Sequence, residues 1–145
     1  NMTKLEELLN MWAKDSVIDR TEPGKELINI PQLHSKYLNI LSRHRLLAKE
    51  TDFKYNKLKK VKWEYYSGKL SQEELQQHGW EPFNFKLKSD IPLYLESDTD
   101  LITLMEKKIY HDEVVSVIES IMSELKQRAW ELKSYIDWER FIGGQ

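Results

Sequence analysis

The chain has 145 residues, 40% hydrophobic and 32% charged, with five glycines and four prolines. It is long enough to bury a real core, and too apolar and too poor in Gly and Pro to be disordered. Cysteine is absent, which excludes disulfides, thiol nucleophiles and thiolate metal sites. No run approaches the roughly 20 apolar residues of a membrane span, and no basic flank with an apolar run opens the chain. A soluble protein with no membrane partner is therefore expected, with Asn1 ahead of Met2 having the look of a cloning remnant.

The formal net charge of −2 conceals an asymmetry. Nine basic residues stand against three acids between Arg43 and Lys69, and eleven acids against six bases between Glu96 and Arg140. A local charge of about +6 points to a polyanionic partner for the first segment and a different task for the second.

A first helix is expected from Thr3 to about Lys14, with Thr3 and Glu6 at capping-box spacing and an apolar stripe of Leu5, Leu8, Leu9 and Trp12. Asp15 to Arg20 interrupts the pattern. Thr21-Glu22-Pro23 restarts it, Thr21 suiting an N-cap and Pro23 a first turn. Pro31 is expected to kink or restart that helix.

From Leu33 a long basic helix runs to Tyr66 on a seam of Leu33, Tyr37, Ile40, His44, Leu47, Thr51, Lys54, Leu58, Val61 and Tyr65. Gly68 fits a left-handed cap behind it. Ser71 and Glu74 have the spacing to cap a short helix. Phe83 to Lys88 alternates apolar and polar, and Leu93-Tyr94-Leu95 follows a Ser89-Asp90 turn, so a small β-hairpin is expected with Pro92 on its edge strand.

Ser97, with Asp98 and Asp100 behind it, opens a last amphipathic helix reaching about Trp138. Its seam is His111, Val115, Ile118, Met122, Leu125, Ala129, Leu132 and Ile136, flanked by a second stripe of Val114, Val117, Ile121, Trp130 and Tyr135. Two stripes on one helix want more partner surface than two other helices offer, so Val115, Ile118, Met122, Leu125, Ala129, Leu132 and Ile136 are assigned to oligomerisation. The expected fold is thus mainly α in a single domain: helical residues 3–69, a linker and hairpin over 70–96, and an oligomerisation helix over 97–142.

Catalytic patterns are missing. There is no phosphate-cradling Gly-rich loop, and His34, His44, His78 and His111 form no metal-ligand spacing. His44 and His111 read as hydrogen-bonded seam histidines. No enzyme, metal or cofactor is expected.

The basic helix is more informative. At about 100° per residue, Leu58, Val61 and Tyr65 share one face, Lys59 and Lys60 lie opposite with Trp63 near them, and Lys57 and Lys62 flank the apolar stripe. Single-stranded DNA offers phosphates for such lysines and loose bases for aromatics. The candidate DNA-binding set is Lys54, Lys57, Lys59, Lys60, Lys62, Trp63, Tyr66 and Lys69, with Trp63 or Tyr66 stacking bases. Charge runs are also commonly solvated helix faces. The rival reading is a non-catalytic helical scaffold that self-assembles and meets an acidic protein surface.

Ile18-Asp19, Ser35-Lys36-Tyr37-Leu38-Asn39 and Glu64-Tyr65-Tyr66-Ser67-Gly68-Lys69 resemble, in order and spacing, the UvsY recombination mediators of T-even-like phages. The similarity continues through Glu96-Ser97-Asp98-Thr99 to the Gly143-Gly144 tail and covers nearly the whole chain. The ordered set carries the specificity; no single tetrapeptide does. The resemblance implies a ring-shaped homo-oligomer of six or seven subunits, assembled through its C-terminal region, that binds single-stranded DNA in the cytoplasm of an infected bacterial host. It also implies loading of a RecA-like phage recombinase onto DNA coated by the phage single-strand binding protein. A short basic motif that contacts DNA in the family matches Lys60 and Lys62. Here Lys62 stands where the family has Arg and Trp63 where it has an apolar residue, and Pro23 and Pro31 also depart from the pattern.

Overall fold

The computed structural model describes residues 2–84 and 87–144. Among the described residues five α-helices follow in order: α1 (Met2–Asp15), α2 (Pro23–Tyr66), α3 (Gln72–His78), α4 (Ile91–Glu96) and α5 (Thr99–Ile142), with one turn of 3-10 helix at Lys88–Asp90 before α4. The residues pack as two units. One holds the chain up to Leu46 together with Tyr110 onward, and the other holds Leu47–Ile109.

In the first unit, Leu8 of α1, Leu33, Tyr37 and Leu41 of α2, and Val114, Ile118, Ile121 and Leu125 of α5 form one buried cluster. Steps of three and four residues place each set on one face of its helix. Polar contacts close the end of α1. Arg128 of α5 donates to the carbonyls of Asp15 and Ser16 at 3.0 and 2.9 Å, satisfying groups a helix end leaves open. Asp15 in turn accepts from Lys36 Nζ and the Tyr37 hydroxyl, each at 2.7 Å. Burial opposes ionisation of Asp15, but those two hydrogen bonds outweigh it and hold its pKa below the usual value.

Several expectations change at this level. α1 starts at Met2, so Thr3 lies inside the helix, and its side chain falls outside the described residues. The Thr21 hydroxyl donates to Asp19 Oδ1 rather than capping the next helix. α2 runs unbroken through Pro31, whose missing N–H and ring clash cost about 3 kcal/mol in a helix interior. Leu33, Tyr37 and Leu41, all buried just downstream, oppose that cost.

The hairpin is not supported. Phe85 and Lys86, in its first strand, lie outside the described residues, and no strand occurs among those described. The expected second strand is α4, and Pro92 sits in its first turn, where a missing N–H costs nothing. Ser97 ends α4, its hydroxyl donating to the Leu93 carbonyl at 2.9 Å. Asp98 is the residue that caps α5, its Oδ1 accepting the Leu101 N–H at 2.9 Å. Other local signals hold: Gly68 has φ 71°, and Ser71 and Glu74 form the capping box that opens α3.

Burial along the α5 seam is uneven. Ile118, Leu125 and Leu132 are buried within their own chain. Val115, Met122, Ala129 and Ile136 are half-buried. The buried row combines Ile118 and Leu125 with Val114 and Ile121 of the second stripe, and admits the polar His111 and Arg128.

Candidate nucleic-acid interface

The second unit contains the C-terminal half of α2 and with it all eight candidate DNA-binding residues. Lys54, Lys57, Lys59, Lys60 and Lys69 are exposed. Lys54 pairs with Glu50 one helical turn away at 3.0 Å. Lys57, Lys59, Lys60 and Lys69 have no carboxylate partner among the described residues. Lys59 lies 6.0 Å from the Tyr55 ring centroid and Lys69 4.4 Å from that of Trp63. Trp63 is 41% exposed. This arrangement presents cations beside aromatic surface, the combination that holds phosphates and bases together.

Lys62 departs from that face. It is 5% exposed, and its ammonium lies 3.0 Å from Asp98 Oδ2 and 2.8 Å from Asp100 Oδ2. The same ammonium sits 4.1 Å from the Trp80 ring centroid. Burial works against its charge, but the hydrogen bonds to Asp100 and Asp98 overcome it, and the Lys62 pKa is raised. Asp98 is likewise held below the usual carboxylate range. Burial opposes this, and the Tyr66 hydroxyl, the Leu101 N–H and Lys62 outweigh it. A buried cation saturated by two carboxylates is not displayed to a phosphate. The reason Lys62 turns inward is positional: Leu58, Lys62 and Tyr66 recur every four residues and share one side of α2.

Tyr66 is also engaged. Its hydroxyl donates to Asp98 Oδ2 at 2.5 Å. Its ring stacks on Tyr94 at 5.6 Å and meets Phe83 edge-on at 4.9 Å. Burial, then the bond to Asp98, raises its pKa. Tyr65 joins the same cluster, its hydroxyl donating to the Glu81 carbonyl at 2.6 Å and its ring 5.1 Å from Trp80. The residues that sequence reasoning missed are Asp98, Asp100, Trp80, Phe83 and Tyr94, which lock the end of α2 in place. Asp98 and Asp100 were legible as a helix start, and nothing local ties them to Lys62.

Among the described residues no group of three or more His, Asp or Glu stands close enough to hold a metal ion, and no helix is long and apolar enough to cross a membrane. The geometry defines a helical class of protein that presents exposed lysines and an indole along and just beyond the C-terminal half of α2.

The comparisons narrow that class. Residues 11–145 match the family model described as "Recombination, repair and ssDNA binding protein UvsY", and the chain belongs to the UvsY family. It is 27% identical over 146 residues to the recombination protein uvsY of Enterobacteria phage T4, covering 98% of this chain and 99% of that protein. The fold is similar to crystal structures of the bacteriophage T4 recombination mediator protein UvsY. One lattice form gives a TM-score of 0.83 at 24% identity over 96% of this chain and 97% of that one, and another gives 0.81 at 23% identity over 94% and 98%.

Proposed function

We propose that this chain is a phage recombination mediator that catalyses no reaction. It binds single-stranded DNA without sequence specificity and promotes loading of a RecA-like recombinase onto DNA covered by single-strand binding protein. The observation that carries the reading is the set Lys57, Lys59, Lys60 and Lys69, exposed and free of carboxylate partners among the described residues, in a chain of the UvsY family. Lysine is a strongly hydrated point charge suited to sequence-blind phosphate contact. Lys60 is the motif position assigned to phosphate, whereas Lys62 holds the segment's shape.

Self-assembly into a ring repeats this basic segment, and sites held together bind with avidity that one copy lacks. The surface for it is the end of α5. Trp130, Trp138, Phe141 and Ile142 are all more than half exposed. At about 100° per residue they fall within an arc of about 120°. Trp138 and Phe141 stack at 5.8 Å, so this face is already organised in one chain. A complementary face of a second copy covers it, the head-to-tail contact that closes a ring.

The test is a loading assay. A recombinase is added to a long single strand pre-coated with single-strand binding protein, and the onset of its DNA-dependent ATP hydrolysis is timed with and without this chain. A shortened lag is expected. An unchanged lag at saturating protein removes the mediator reading and leaves the scaffold that meets an acidic protein.

A further inference from the structure

Within the second unit, α2 and α4 bound a cleft of about 290 Å³ whose lining includes Tyr55, Lys59 and Trp63 on one side and Pro92, Leu95 and Glu96 on the other. We propose that this cleft seats one nucleobase of the bound strand, with the Trp63 indole as its stacking wall. The proposal rests on the DNA-binding reading above and adds to it a base-contacting subsite.

Three features of the cleft select a base as its occupant. Its volume is at the low end for small-molecule sites, which suits one planar group rather than a larger ligand. Its walls are aromatic and aliphatic, matching a π-face. Cations border it: Lys59 lines it, and the Lys69 ammonium lies 4.4 Å from the Trp63 ring centroid. A single strand alternates phosphate and planar base, so a base between these walls brings its flanking phosphates to those two lysines. Glu96 supplies an acceptor for the N–H edge of a base and would repel a phosphate placed inside, which orients the nucleotide base-inward.

The same geometry separates Trp63 from Tyr66. The Tyr66 ring packs against Tyr94 and Phe83 and its hydroxyl is held by Asp98, so a base stacking on it would compete with those contacts. Trp63 lines the cleft and is 41% exposed, its one ring contact among the described residues being the Lys69 ammonium, a group that can accompany a bound phosphate.

The experiment compares two short labelled oligonucleotides of equal length and phosphate number, one with bases throughout and one with abasic residues through its centre, by fluorescence anisotropy. The full-length protein is expected to prefer the base-bearing strand by on the order of fivefold or more, since stacking carries much of such binding. Trp63→Ala should bring that ratio close to one while leaving the salt dependence unchanged, and Trp63→Phe should restore most of it. Pro92→Trp, which fills the cleft from the opposite wall, should act like Trp63→Ala. Equal affinity of the unaltered protein for both strands would overturn the base seat while leaving phosphate binding intact, and the cleft would then suit an apolar peptide segment. A ratio unmoved by Trp63→Ala would overturn it too. Failure to bind either strand would remove the DNA-binding reading itself.

Discussion

Lys62 Nζ lies 2.8 Å from Asp100 Oδ2, joining α2 to the first turn of α5 across 38 positions of sequence. Asp98 completes the arrangement: it accepts from Lys62 with one oxygen and caps α5 with the other. The basic motif of this chain therefore has two unlike members. Lys60 is exposed, and Lys62 is an internal fastener.

Removing one partner of a buried pair strands the others, so Lys62→Met should destabilise the second unit by about 3 kcal/mol. Lys60→Gln, on the surface, should fall within about 0.5 kcal/mol of the unaltered chain. Urea denaturation followed by circular dichroism distinguishes the two. Equal stability of both variants would contradict the fastener role of Lys62.

The first unit carries a pH-sensitive contact. His44 Nδ1 and His111 Nδ1 lie 3.0 Å apart, a distance at which one nitrogen donates and the other must be unprotonated. Burial, followed by His111, Arg43 and Lys4, lowers the His44 pKa from its usual 6.5. The unfolded chain then binds more protons than the folded one, so stability is full above pH 6.5 and declines as pH falls from there toward the depressed folded value. Thermal melts from pH 8 to pH 5 should show a falling Tm below about pH 6.5. His44→Gln should flatten that slope. A melting temperature constant across the interval would contradict the lowered His44 pKa.

Assembly and folding should separate on α5. Ile118 is fully buried and Leu125 1% exposed, so Leu125→Ala should cost about 2–5 kcal/mol of stability whatever the subunit number. Trp130→Ser with Phe141→Ser should leave the fold intact and reduce the mass read by light scattering. An unchanged mass would place the self-association surface elsewhere.

How far the sequence spoke for itself varies with the element. Local signals were readable because their physics is local: Gly68 needed a left-handed conformation, and Ser71 with Glu74 needed only each other. The region after α3 misled because alternation of Phe83 to Lys88 matches a strand, while Phe83 and Tyr94 serve instead to cover Tyr66. Lys62 and Arg128 were invisible for a different reason. Lys62 reads as a flank of the apolar stripe and Arg128 as one more surface charge, and what makes each a core residue lies far away: Asp98 and Asp100 for one, the open carbonyls of Asp15 and Ser16 for the other. The exposed lysines were legible as a charged face, and Trp63 as an aromatic among them. The cleft beside Trp63 was not, because α4 was expected to be a strand.

The most direct measurement is the salt dependence of binding to a labelled single-stranded oligonucleotide, for the unaltered chain, for Lys57, Lys59 and Lys60 changed together to Gln, and for Lys62→Met. Each phosphate neutralised on a single strand, with release of its counterion, contributes about 0.7 to the slope of log affinity against log salt. The triple variant should therefore lose about 2 from that slope per engaged subunit, and Lys62→Met, at a temperature where it stays folded, should keep the slope of the unaltered chain. A triple variant with an unchanged slope, or a Lys62→Met protein that is folded yet has lost its salt dependence, would contradict the division of labour between the exposed lysines and Lys62.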